Sequence, residues 1–146
     1  MDTPAEQIAL IVEDFLIALV TTDIDWNAKS SPDRWSAKEV IGHLVDSASN
    51  NLHRFIRCTY EQNFKLVYAQ NKWVTAQDHQ HAKIEDLLSI WRMLNKQISR
   101  VLNNYSADTW QNTCDTGKDM INLVTVEDLV TDYVHHLSHH LKTITQ

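Results

Sequence analysis

Two glycines and two prolines have to punctuate 146 residues. Strands must be joined by turns, and tight turns draw on Gly, Pro, Asn and Asp for the backbone angles they need. A sheet protein of this length would use many more of them, so the scarcity predicts long helices. Four segments carry apolar residues at three-four spacing. The first opens at Thr3-Pro4-Ala5-Glu6, a capping Thr, a Pro in the first turn and a Glu placed to close a capping box. Ile8, Ile11, Val12, Phe15, Leu16 and Leu19 form its stripe. The second opens at Ser36-Ala37-Lys38-Glu39, with Trp35 and Val40 placed as a hydrophobic staple, and runs through Ile41, Leu44, Val45, Ala48, Leu52, Phe55 and Ile56. The third starts between Thr75 and Lys83 and carries Ile84, Leu87, Leu88, Trp91, Leu94, Ile98, Val101 and Leu102. The fourth opens at Thr125, with Val124 and Leu129 as its staple, and continues through Val130, Tyr133, Leu137, Leu141 and Ile144. The expected fold is all-α: one four-helix bundle domain over residues 1–146, with long connections between helices two and three and between three and four. Connections of that length are often functional, and those around Trp73 and Trp110 are candidates to cover a site.

Composition narrows the function. The formal net charge is −6 and no Lys/Arg-rich run occurs, which argues against nucleic acid as a partner. No apolar run has the length of a membrane span, and MDTPAEQIAL lacks the basic and apolar regions of a signal peptide, so a cytoplasmic protein is expected. Cys58 and Cys114 belong to no CxxC pair and read as reduced, part-buried thiols.

The richest stretch is DYVHHLSHHL at 132–141, which holds four of the eight histidines. On a wheel of about 100° per residue, His140 falls inside the apolar arc of the fourth helix and His136 just beyond its edge. His135 and His139 point to solvent. Two imidazoles at i, i+4 share a face with Cβ atoms roughly 5–6 Å apart and can meet one cation, although an inward histidine is also a common hydrogen-bonded core residue. Two ligands rarely hold a divalent ion well, so a third from another helix is required. The second helix offers His43, outside its own apolar arc and aligned with Ser47, Asn50 and Arg54. Such a stripe is either the wet face of the helix or the wall of a cleft, and Gly42 would let something approach closely beside His43. His79 and His81, in DHQH, read as solvated, as does His53; Trp91 reads as core and Trp26 as a packed or loop aromatic. Glu-x-x-His di-iron motifs, HExxH and Gly-rich phosphate loops are absent.

Two blocks, DRWSAKEVIGHLVDSASNNLHRFIR at 33–57 and TVEDLVTDYVHHLSHHLKTI at 125–144, carry a likeness to known proteins. The chain resembles the DinB/YfiT-like superfamily of bacterial four-helix metalloproteins over nearly its whole length. The first block matches the pattern W-S-x-K-E-x-x-x-H-L-x-D-S and the second D-Y-x-x-H-x-x-x-H-L. The resemblance implies a divalent metal, nickel or zinc, held by His43, His136 and His140, and it implies a homodimer. It also implies small-molecule chemistry, since some members use a low-molecular-weight thiol as cosubstrate for group transfer while others are described as metal-dependent hydrolases.

Three neutral imidazoles would leave the cation its double charge and an open position, the pattern of a catalytic rather than a closed structural site. The expected function is therefore a metal-dependent thiol transferase or hydrolase. The rival classes are a non-catalytic metal-binding stress or sensor protein and a metal-free helical interaction module. Around the ligands, Asn50 and Arg54 are candidates to orient an anionic substrate or a thiol's carboxylate. Asp132 and Asp46 are candidates to accept the second ring N–H of His136 and to act near His43. All four read equally well as surface groups.

Overall fold

The computed structural model describes all of residues 1–146. Four long helices, α1 (Pro4–Leu19), α2 (Ala37–Arg57), α4 (Ile84–Asn103) and α5 (Val126–Thr145), form the bundle, and a short helix α3 (Gln70–Ala76) lies in the second connection. The caps are where local chemistry places them. Thr3 and Glu6 close one capping box at 2.7 and 3.2 Å, and Ser36 and Glu39 close another at 3.1 Å in both directions. Thr125 Oγ1 accepts from Asp128 N at 3.1 Å to start α5. Helix α4 begins at Ile84, with no side-chain cap, which explains why its start was the least legible of the four.

The long connections carry structure of their own. Three short strands, β1 (Phe64–Lys65), β2 (Thr113–Asp115) and β3 (Leu123–Thr125), form a sheet in the order β1-β2-β3. The first pair is parallel, with Phe64 opposite Cys114; the second is antiparallel, with Cys114 opposite Val124. Strands of two or three residues are too brief to show alternation, so periodicity did not reveal them. The sheet ties the end of α2 to the start of α5. Asn63 and Asp78, both with positive φ (53° and 50°), turn the chain into β1 and into a single 3-10 turn at His79–His81. Asn and Asp tolerate this conformation better than other side chains.

The core runs the length of the bundle. Trp91 is fully buried and meets Phe15 edge-on at 5.7 Å, while Phe55 meets Tyr133 edge-on at 6.0 Å. Tyr133 Oη donates to Asn95 Oδ1 at 2.6 Å, so the polar end of a buried aromatic is satisfied inside the core. Cys58 and Cys114 are buried free thiols, and their mutual hydrogen bond together with burial raises the Cys58 thiol well above its ordinary value. Trp26 packs against the core, as does Trp110, which lies edge-on to Tyr105 at 4.9 Å. No helix is long and apolar enough to cross a membrane.

Candidate metal centre

Helix α2 is buried nearly all round. Every residue from Ile41 to Ala48 is inaccessible, including the polar stripe. His43, Ser47 and Asn50 retain 1%, 3% and 6% of their surface, so the wet-face reading of this stripe is corrected. The cover is the second connection, which folds back over α2 and is strapped to it at four points. Ser36 Oγ donates to Gln80 Oε1 (2.6 Å), Lys38 Nζ to the Gln80 carbonyl (3.2 Å), Gln77 Nε2 to Asp46 Oδ1 (2.7 Å) and Arg54 Nη2 to the Leu66 carbonyl (2.6 Å).

His79 is the second correction. It is 4% exposed rather than solvated, and its Nε2 donates to the buried Asp46 carboxylate at 3.2 Å. Its ring lies on Gly42, where an added Cβ would stand 2.3 Å from the His79 Cγ. The close approach that Gly42 signalled is therefore that of a histidine from the opposite strap. His81, by contrast, is exposed and pairs with Asp78, and His53 is exposed and stacks on Phe64 at 5.6 Å.

His43, His136 and His140 come together. The Nε2 of His136 faces that of His43 at 3.2 Å and that of His140 at 3.1 Å. His136 and His140 are half-buried on α5, whereas His135 and His139 are exposed, as the wheel expected. Trp35 lies against the His43 ring, tilted by 34° with centroids 4.8 Å apart, a position its role as a staple did not suggest. His140 and His136 border openings on two sides, while His43 is closed off. His140 borders a cavity of about 840 Å³ with Asp25, Arg34, Trp35, His139 and Ile144. His136 borders a smaller one of about 230 Å³ between α2 and α5.

This donor set fits a divalent cation. Two nitrogens on a tetrahedral ion with bonds near 2.0–2.1 Å stand roughly 3.3 Å apart, close to the separations of the His136 Nε2 from its two neighbours. Without an ion, the His136 Nε2 would have to serve two neighbouring nitrogens at once, a poor arrangement for neutral imidazoles. The rings are also ready to donate. Burial, with the other histidines adding to it, lowers His43 to about 3 and His140 to about 4, and burial with His139 lowers His136. No proton has to leave them at neutral pH before a metal binds.

The remaining candidates are placed differently. Asp46 is held by Gln77 and His79, not by His43. Asp132 is exposed on the wall of the smaller cavity and accepts no hydrogen bond from His136, so i+4 spacing alone did not make that pair. Asn50 donates its amide to the Asp46 carbonyl at 2.9 Å and lines neither cavity. Arg54 lines the smaller cavity. The His43 Nδ1 is buried without a partner, a departure from the usual carboxylate or carbonyl behind a ligand histidine.

The lowered histidines predict acid lability in the metal-stripped protein. The unfolded chain takes up protons on these imidazoles below about pH 6.5, while in the folded chain His43 and His140 stay neutral to about pH 4 and burial lowers His136 in the same direction. The unfolded state thus binds more protons in that window, and stability falls as pH falls through it. Asp46, raised mainly by burial, works in the opposite sense, but one carboxyl opposes three imidazoles. Urea unfolding of chelator-treated protein should give a flat profile above pH 7 and a decline toward pH 4. Rising stability toward pH 5 would contradict neutral buried rings.

Comparison with known proteins agrees with this architecture. YfiT of Bacillus subtilis, a proposed metal-dependent hydrolase, is 24% identical over 128 residues, spanning 87% of this chain and 71% of that protein. Its solved structure, described as an unusual four-helix bundle topology, superposes with a TM-score of 0.86 at 22% identity, covering 97% of this chain and 82% of YfiT. A mycothiol-dependent maleylpyruvate isomerase superposes with a TM-score of 0.75 at 13% identity, covering 97% of this chain but only 59% of the isomerase. The family model of the DinB superfamily matches residues 12–144. The chain is a member of the DinB superfamily.

Proposed function

We propose that this protein binds one divalent metal ion, nickel or zinc, through the Nε2 atoms of His43, His136 and His140, and acts as a metal-dependent thiol transferase or hydrolase on a small molecule. The observation that carries this reading is the convergence of three neutral imidazoles whose ligand nitrogens all lie within 4.8 Å of one another, the His136 Nε2 3.2 and 3.1 Å from those of His43 and His140, with no carboxylate among them. A divalent cation held by these three neutral histidines would keep its charge and would acidify a thiol or water brought to it. The chain's own residues do the rest. Trp35 fixes the plane of the His43 ring, and the strap over α2 excludes water from that side. The two cavities give separate approaches to His140 and His136, which suits a reaction between two small molecules. The relatives support the same class: one is a proposed metal-dependent hydrolase, another an isomerase that depends on a thiol.

We further propose a homodimer. Leu10 and Ile17 on α1 and Ile90 and Met93 on α4 are exposed, on two helices that pack together, and offer an apolar face to a second copy.

The test is metal content followed by ligand uptake. Tag-free protein reconstituted with zinc or nickel should retain about one ion per chain. In the cobalt-substituted protein, a small thiol should produce a sulfur-to-cobalt charge-transfer band. Failure to retain any ion sinks the metal reading. An ion that takes up no added ligand indicates a closed site and sinks the catalytic reading in favour of a metal-binding sensor or stress protein.

A further inference from the structure

The far end of α2 carries a second pair of reactive side chains. Cys58 closes that helix as its C-cap, and Cys114 sits at the centre of β2. They are the chain's only two cysteines, and the fold buries them in one core cluster at 1% and 0% exposure. The two thiols hydrogen-bond to each other, and Cys114 Sγ donates onward to the Phe64 carbonyl at 3.0 Å. The backbone around them is pinned as well. Asn112 Nδ2 donates to the Cys58 carbonyl at 2.9 Å, and Phe64 lies opposite Cys114 across the β1–β2 pair.

The bonding has a direction. Cys58 is the donor and keeps its proton, whereas the bond it gives lowers Cys114, and Arg54, one turn before Cys58, lowers it further against the effect of burial. One thiol poised to ionise beside another that can attack it is the arrangement of a redox pair. Contact also removes the usual obstacle to a disulfide, since most cysteine pairs cannot be bridged without moving the backbone. Cys58 at a helix end and Cys114 in a strand of three residues leave room for the local adjustment that remains. Cys58, Asn112 and Thr113 border a cavity of about 440 Å³, which brings solvent close to the pair. An oxidant little larger than water can use that approach, while a protein oxidant cannot reach thiols buried to this degree.

We propose that Cys58 and Cys114 form a redox pair, which hydrogen peroxide converts reversibly into a disulfide between the end of α2 and β2. The Cys114 thiolate attacks one oxygen of the peroxide and the O–O bond breaks. The departing hydroxide takes the proton that Cys114 released, leaving water and a Cys114 sulfenic acid. The Cys58 sulfur then attacks the Cys114 sulfur, the S–O bond breaks, and the leaving hydroxide takes the Cys58 proton as a second water. Two electrons pass from the thiols to the peroxide. The new bond closes a loop that contains α3 and α4 and fastens β2 to the helix that carries His43. The pair is separate from the histidine cluster, and the proposal is independent of metal binding there.

The test uses the full chain. Protein is incubated with a small molar excess of hydrogen peroxide, the peroxide is destroyed with catalase, and the chain is then unfolded in N-ethylmaleimide. Peptide masses are read rather than the intact mass, because Met1, Met93 and Met120 are exposed and take up oxygen too. Untreated protein should be alkylated at both cysteines. Treated protein should lose both alkylation sites and yield one cross-linked peptide pair, two hydrogens lighter than its parts, which dithiothreitol returns to two alkylated cysteines. The oxidised protein should melt roughly 5–10 °C above the same sample after dithiothreitol, which leaves oxidised methionines as they are. In Cys58→Ser, dimedone should trap a sulfenic acid on Cys114, whereas Cys114→Ser should leave Cys58 largely unlabelled; the reverse labelling overturns the order of attack. If neither variant folds, the unaltered protein still decides. Cysteines that stay alkylated, or that gain oxygen without cross-linking, overturn the pair. So does a cross-linked protein that melts below the reduced one, because its sulfurs were then not in place to bond.

Discussion

His136→Ala should lower the affinity for a divalent metal by on the order of 10²–10³-fold, the loss expected when one of three nitrogen ligands goes. His136 is the member with the most to lose. Its Nε2 is the one that faces both other donors, at 3.2 and 3.1 Å, so its removal leaves His43 and His140 without the nitrogen between them. His43→Ala and His140→Ala should also lose the ion, since two imidazoles remain in each case. His135→Ala is the control, one residue away and exposed. It should bind metal as the unaltered protein does. Competition titration with a chromophoric chelator measures all four. Equal affinity in the His135 and His136 variants would mean that the cluster is packing rather than ligation.

The second large effect should come from a single methyl group. Gly42→Ala would place its Cβ 2.3 Å from the His79 Cγ and 2.4 Å from its Cδ2. A helix interior normally gains about 1 kcal/mol from this exchange, through backbone entropy. Here His79 cannot step aside cheaply, because it is 4% exposed and bonded to Asp46, itself 1% exposed. Driving the ring out leaves that carboxylate buried with Gln77 alone, and losing a buried hydrogen bond to a charged group costs about 1.5–3 kcal/mol. The clash wins over the propensity. The melting temperature should fall by roughly 2–8 °C for a chain of this size. Gly42→Ala combined with His79→Ala should lose less than the two single changes together. A raised melting temperature for Gly42→Ala would show that the turn at 79–81 is free to float.

Most of the bundle was legible because it rests on local rules. The capping boxes at Thr3 and Ser36, the cap at Thr125 and the three-four stripes depend on residues a few positions apart, and α1, α2 and α5 begin where those rules put them. The pair on α5 was legible for the same reason, as one helix face decides whether His136 and His140 point inward. The place of His43 was not. A wheel sees only one helix, and α2 is covered on its polar side by a segment that begins after its own end. Long-range straps of that kind, Gln77 and His79 to Asp46 or Arg54 to Leu66, leave no periodicity in either partner. Gly42 was the one local sign, since glycine inside a helix without a turn to make implies that something lies against it. Asp132 shows the reverse error, where correct spacing for a contact with His136 coincides with an exposed side chain.

His43 and His136 are separated by 93 positions, and the chain between them contains α3, α4 and the whole sheet. An ion shared across that gap would be a removable cross-link. In the unfolded chain it would close one very long loop, and in chain-entropy terms a tie of about that length is worth roughly 4–5 kcal/mol, comparable to a disulfide. A chelator would then act on this protein as a reductant acts on a disulfide. It would leave the native contacts in place and release the chain to explore what lies beyond them, so protease sensitivity would report how full the site is.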